Sequence, residues 1–118
     1  MAIYRLKEDN FDSLIKHAPQ PCIVLFSSAG CHLCTELKPI FKNISNEYEG
    51  EFYFFLVDID ESESLRERYS DDGVPTIRTY RPEEHKIGHE IPYPGDGTSG
   101  YTKQSLVDYI NNFKRTGE

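Results

Sequence analysis

Cys22-Ile23-Val24-Leu25-Phe26-Ser27-Ser28-Ala29-Gly30-Cys31-His32-Leu33-Cys34 reads as a strand, a turn and the opening of a helix. Residues 22–26 form a continuous apolar run of β-formers, the pattern of a strand covered on both faces. Ser27 to Gly30 turn the chain, and from Cys31 the apolar residues Leu33, Leu37, Ile40, Phe41, Ile44 and Tyr48 recur at helical intervals until Gly50. Pro39 lies inside that helix, where a missing N–H and a ring clash predict a kink. A buried strand therefore delivers the chain straight into a helix N-terminus that carries Cys31 and Cys34.

Working outward, Ile3 to Leu6 alternates as a short first strand, and Phe11, Leu14, Ile15 and Ala18 fall at helical spacing before Pro19 and Pro21. Downstream, Phe52 to Val57 is a second buried-strand run within 51–60, followed by a short helix over 62–69. After the turn Asp71-Asp72-Gly73, residues 76–80 read as a strand. Arg81-Pro82-Glu83-Glu84 then makes a hairpin-like link to a strand over 86–91. A loop over 92–100 leads to a last helix with Leu106, Val107, Ile110 and Phe113 on one side and Thr102 as its N-cap. The order βαβαβα then ββα predicts an α/β fold, a central mixed sheet with helices on both faces. Residues 1–118 read as one domain, without repeat or linker.

Thirteen Lys and Arg against twenty Asp and Glu give a net charge of −7, with the acidic residues spread along the chain. Nucleic acid and anionic membrane are not expected partners of such a surface. Three cysteines are too few, and odd in number, for a disulfide-stapled scaffold. The N-terminus lacks a basic stretch followed by an apolar core, and no run approaches the roughly 18 apolar residues of a membrane span. A cytoplasmic monomer is expected.

Position gives the cysteine pair its chemistry. A helix N-terminus presents unpaired N–H groups and about half a positive charge, which favours the thiolate form of Cys31 and makes it a nucleophile. Cys34 lies one turn on, on the same face, within disulfide reach and turned toward the core by Leu33 and Leu37. The expected chemistry is thiol–disulfide exchange, with Cys31 attacking a disulfide and Cys34 resolving the mixed disulfide. A protonated His32 would add to thiolate stabilisation; a solvated first-turn side chain is the alternative.

These residues resemble the thioredoxin superfamily, in its thioredoxin-like and protein-disulfide-isomerase-like domains, over nearly the whole chain. The resemblance rests on the buried strand before Cys31-His32-Leu33-Cys34, on Pro39, on Val57-Asp58-Ile59-Asp60, and on Val74-Pro75-Thr76. It implies a cis peptide bond at Pro75 facing the cysteines. It also implies a backbone contact from Val74 to an extended substrate, and a substrate surface completed by Gly30 and Pro75. Protein disulfides and dithiols are the implied substrates, a reductase or other thiol the implied electron donor. The Cys31–Cys34 disulfide is the only redox group implied, with no other cofactor. The sequence also departs from the family pattern. Gly30 stands where a tryptophan commonly precedes the first cysteine, and His32-Leu33 replace Gly-Pro. Leu25 and Leu56 stand where many members carry a buried acid and its lysine. Glu36, Asp58 and His32 are the groups left to assist the resolving cysteine.

Rival readings are weaker. Cys22 opens an apolar run and reads as a buried core thiol. Zinc on Cys31 and Cys34 would need two further ligands, and no second pair stands at finger spacing; His85 and His89 read as solvated edge residues. Gly95-Asp96-Gly97-Thr98-Ser99-Gly100 matches a dinucleotide fingerprint only literally, because no strand with an acidic residue follows. The 92–100 loop, with Tyr93 and Tyr101 as exposed tyrosines beside it, reads as a partner contact or an insertion.

Overall fold

The apolar run forms β2 (Cys22–Ser27), buried at all six positions because it is the middle strand of a five-stranded sheet. The computed structural model describes residues 3–71, 73–84, 86–91 and 101–116, with only the backbone of residues 86, 89, 90, 115 and 116. In chain order the remaining elements are β1 (Tyr4–Leu6), α1 (Phe11–Lys16), α2 (His32–Glu47), β3 (Tyr53–Asp58), α3 (Glu63–Tyr69), β4 (Thr76–Arg81), β5 (Lys86–Glu90) and α4 (Lys103–Thr116). The strands lie in the order β1-β3-β2-β4-β5. β3 runs parallel to both β1 and β2, and β4 and β5 complete the sheet antiparallel. This is the mixed α/β sheet that the element order predicts.

Alternation along β2 builds two cores. Ile23 and Leu25 pack with Leu37, Phe41 and Ile44 of α2 and Leu106, Ile110 and Phe113 of α4. Cys22, Val24 and Phe26 face the other way, onto Phe11 and Ile15 of α1 and Leu65 of α3. A strand covered on both faces needs apolar side chains at every position, which is why its sequence shows no polar alternation.

Several boundaries differ from the sequence reading. α1 stops at Lys16, and Ala18 is buried one residue beyond the cap at His17. α2 runs through Pro39 to Glu47, and Gly50, at φ +87°, sits in the turn that follows rather than at the helix end. A side chain at that φ meets its own backbone, so glycine belongs there. The link after β4 is a turn of 3-10 helix over Pro82–Glu84. Thr102 does cap α4: Ser105 N–H donates to Thr102 Oγ1 at 3.1 Å, and Thr102 N–H to Ser105 Oγ at 3.1 Å. Such a reciprocal box satisfies donors that a helix start otherwise leaves free.

Tyr101 corrects an expectation. It is 6% exposed and packs in the α2–α4 core, with its hydroxyl donating to the Ile91 carbonyl, so it is no surface contact. Its ring is large enough to close the core beside Ile91, and the one polar atom finds a backbone acceptor. Residues 92–100, with Tyr93 and the glycine motif, lie outside the described residues, as do His85 and the side chain of His89.

Cys22 is fully buried, and its thiol donates to the Gln20 carbonyl at 3.4 Å. Burial pushes this thiol up to about 12 from an ordinary value of 9.0. The neutral thiol is therefore favoured in the folded chain, and its contribution to stability is present below pH 9 and lost as pH rises toward about 12. Urea unfolding of the reduced protein is expected to show a falling midpoint over that alkaline range. Cys22→Ala is expected to shallow the slope whatever its effect at neutral pH. An unchanged slope would place the alkaline loss elsewhere.

Candidate active site

The site is built where β2 ends and α2 begins. Ser28 to Cys31 make a turn closed by the Cys31 N–H on the Ser28 carbonyl at 3.3 Å, which brings the chain round onto the helix axis. Cys31 has extended backbone angles, φ −98° and ψ 115°, and is the N-cap of α2, so the helix proper starts at His32. Its sulfur takes the place of a capping oxygen. The Cys34 N–H donates to Cys31 Sγ at 3.1 Å, so one of the free N–H groups of the first turn is spent on the sulfur itself. Any negative charge on Cys31 is met by that N–H and by the positive end of α2.

Cys34 is fully buried, whereas Cys31 is half-buried and reachable from solvent. Burial first, and then a hydrogen bond with Cys31, push the Cys34 thiol up to about 12 from 9.0. The backbone of Ser28 and the charge of Lys38 act in the opposite direction. The two thiols are thus unequal: one half-buried and held by a helix end, one buried and neutral.

A second loop closes over the pair from the far end of α3. Gly73, at φ +122°, turns the chain into Val74, whose carbonyl lies 3.8 Å from Cys31 Sγ as acceptor. The Val74–Pro75 peptide is cis, and Pro75 is buried. Thr76 Oγ1 donates to the Gly73 carbonyl at 2.7 Å and ties this loop to the start of β4. The structure therefore brings Cys31, Cys34 and Val74 together across 43 residues of sequence.

The other candidate residues fall outside that cluster. His32 is solvated, its side chain 84% exposed, and Nε2 meets Glu36 Oε2 at 3.1 Å along the helix surface. Asp58 accepts the Asp60 N–H at 2.9 Å and has Arg5 at 3.9 Å. None of His32, Glu36 and Asp58 hydrogen-bonds Cys34. Leu25 and Leu56 are partners in the parallel register of β2 and β3, so an apolar pair stands where the family pattern has an acid and a lysine. Gly30 leaves its flank of the turn open: among the described residues, its chain neighbours aside, a Cβ there would meet nothing within 4 Å.

Asp60 is the residue the sequence reading passed over. Its carboxylate accepts from Ser28 Oγ at 3.0 Å and from the Ala29 N–H at 3.2 Å, which pins the turn before Cys31 to the end of β3. The signal was present in Val57-Asp58-Ile59-Asp60, since parallel strands end at one sheet edge and their following loops meet there. Among the described residues no group of three or more His, Cys, Asp or Glu could hold a metal ion.

A protein-family model described as Thioredoxin matches residues 2–112. The chain belongs to the thioredoxin family. Within that family it is 29% identical over 111 residues to Protein disulfide-isomerase like 2-2 of Arabidopsis thaliana, covering 94% of this chain and 24% of that protein. It is 30% identical over 66 residues to Thioredoxin H-type of Chlamydomonas reinhardtii, covering 56% of this chain and 58% of that protein. It is also 27% identical over 81 residues to the chloroplastic Thioredoxin M-type of Brassica napus, with 69% of this chain and 46% of that protein covered. The chain thus spans about a quarter of the length of the disulfide-isomerase relatives it matches.

Proposed function

We propose that this thioredoxin-family chain is a thiol–disulfide oxidoreductase acting on protein disulfides through Cys31 and Cys34. The observation that carries the reading is the Cys31 sulfur at the N-cap of α2, accepting the Cys34 N–H at 3.1 Å while Cys34 is buried beneath it. A half-exposed, electrostatically supported thiol beside a shielded one is the arrangement that two-step exchange requires.

In the first step Cys31 thiolate attacks one sulfur of a substrate disulfide. The S–S bond breaks, a mixed disulfide forms, and the substrate's other sulfur leaves as a thiolate that takes up a proton. In the second, Cys34 gives its proton to solvent and attacks Cys31 Sγ. The Cys31–Cys34 disulfide forms as the mixed disulfide breaks, and the substrate has gained two electrons. A thiol reductant returns the pair to the dithiol, and in the reverse direction the same steps oxidise a substrate dithiol. The Val74 carbonyl, 3.8 Å from the attacking sulfur, aligns an extended substrate backbone across the open flank at Gly30.

Reduction of a disulfide-bonded peptide, followed by thiol release with a small dithiol as electron source, tests the proposal. Cys31→Ser is expected to abolish it, because a hydroxyl is not ionised at neutral pH and does not exchange with disulfides. Unchanged activity in Cys31→Ser would sink the reading. The apolar pair Leu25 and Leu56 favours a second one, a thioredoxin-like protein-binding module with incidental redox activity, since it occupies the positions where many family members carry an acid and its lysine. A partner bound equally well by Cys31→Ser, without turnover by the unaltered chain, would support it.

A further inference from the structure

Asp60 fixes a carboxylate against the turn that leads into the nucleophile. Its oxygens accept from Ser28 Oγ at 3.0 and 3.2 Å and from the Ala29 N–H at 3.2 Å, and its own N–H is held by Asp58 Oδ1 at 2.9 Å. Four contacts make it a rigid charge rather than a mobile one. The turn it grips is closed by Cys31 N–H on Ser28, which keeps the turn's ends within ~7 Å. The carboxylate is therefore anchored to the same short turn that ends at Cys31, where its charge is felt over the ~10 Å range of charges at moderate salt.

The surrounding charges leave Asp60 uncompensated. Arg5 is turned to Asp58, at 3.9 Å, and His32 to Glu36, at 3.1 Å. Among the described residues Asp60 has no ion-pair partner of its own, and neither does its neighbour Glu61. The bare Gly30 adds room, since among the described residues, its chain neighbours aside, nothing stands within 4 Å of where its side chain would begin. A turn that is open at Gly30 and held at Ser28 and Ala29 by a carboxylate without an ion-pair partner suits a long cationic side chain and repels an acidic one.

We infer that Asp60 is a specificity-determining residue of this site, selecting substrate disulfides whose cysteine is flanked by lysine or arginine. The inference rests on the redox reading given above. It follows that association with cationic segments is faster and salt-sensitive, while the sulfur chemistry at Cys31 is common to all substrates.

Three disulfide-bonded peptides that differ only in one residue beside the cysteine (Lys, Gln or Glu) test it, with kcat/KM measured for each. The Lys peptide is expected to exceed the Glu peptide by about fivefold, the size of one solvent-exposed ion pair. The ratio is expected to fall toward one at about 1 M salt, where screening reaches a few ångströms. Asp60→Asn is expected to collapse it at low salt, and Asp60→Glu to keep it. Turnover of all three peptides at equal rates overturns the inference, and so does a ratio that survives Asp60→Asn. If Asp60→Asn does not fold, the salt series on the unaltered chain decides: a ratio constant from low to high salt overturns it. Absence of turnover on every peptide is a different failure, that of the redox reading itself, and the specificity falls with it.

Discussion

Replacing Cys34 by serine is expected to turn the protein from a catalyst into a trap, with Cys31 held in a mixed disulfide and multiple turnover reduced by at least about a hundredfold. The reason lies in the unequal burial of the two sulfurs. Cys31 is half-buried and can meet a substrate disulfide, and the N–H that supports it belongs to the backbone of residue 34, so serine leaves that bond in place. Only the attack that releases the product is lost, because a buried hydroxyl does not displace a thiolate. A substrate-sized mass adduct on Cys31, removed by dithiol, is the expected observation. Free turnover by Cys34→Ser would show that an external thiol resolves the intermediate and that the pair does not act as a unit.

The resolving step is expected to accelerate about tenfold for each pH unit between pH 6 and 9. The Cys34 thiol is pushed up to about 12, first by burial and then by its hydrogen bond with Cys31. Well below that value the thiolate fraction grows in proportion to hydroxide, so the rate rises with pH and shows no plateau in the neutral range. Rapid mixing of a preformed Cys31 mixed disulfide, with release of the substrate thiol as the signal, measures that step alone. A flat profile would mean that a neighbouring group takes the proton within the complex. In many family members that task would fall to an acid at position 25, and here Leu25 faces Leu56 across the β2–β3 register with no charge between them. Buried Leu25 and half-buried Leu56 thus add to the core, and with no acid at position 25 proton removal is expected to fall to solvent.

The fold was legible because its signals are short-range. Two apolar runs, at 22–26 and 52–57, read as strands covered on both faces. The helical spacing from Leu33 to Tyr48 set the element that carries the cysteines, and Cys31 at its opening carried the redox reading. Burial of Cys22 and the cap at Thr102 followed from the same local rules. The boundaries that moved, at Lys16, Glu47 and the Pro82–Glu84 turn, lie where caps and turns compete over one or two residues.

What the sequence alone determined is therefore the strand-to-helix junction and the order of elements around it, since period and turn chemistry act between neighbours in the chain. The tertiary structure alone decided which distant groups meet there. It set the Val74 carbonyl 3.8 Å from Cys31 and turned His32 outward to Glu36. It drew Tyr101 into the core and laid the Asp60 carboxylate against Ser28 and Ala29. Those contacts depend on the parallel register of β2 and β3 and the antiparallel register of β2 and β4, which packing of the two cores selects and no local pattern encodes.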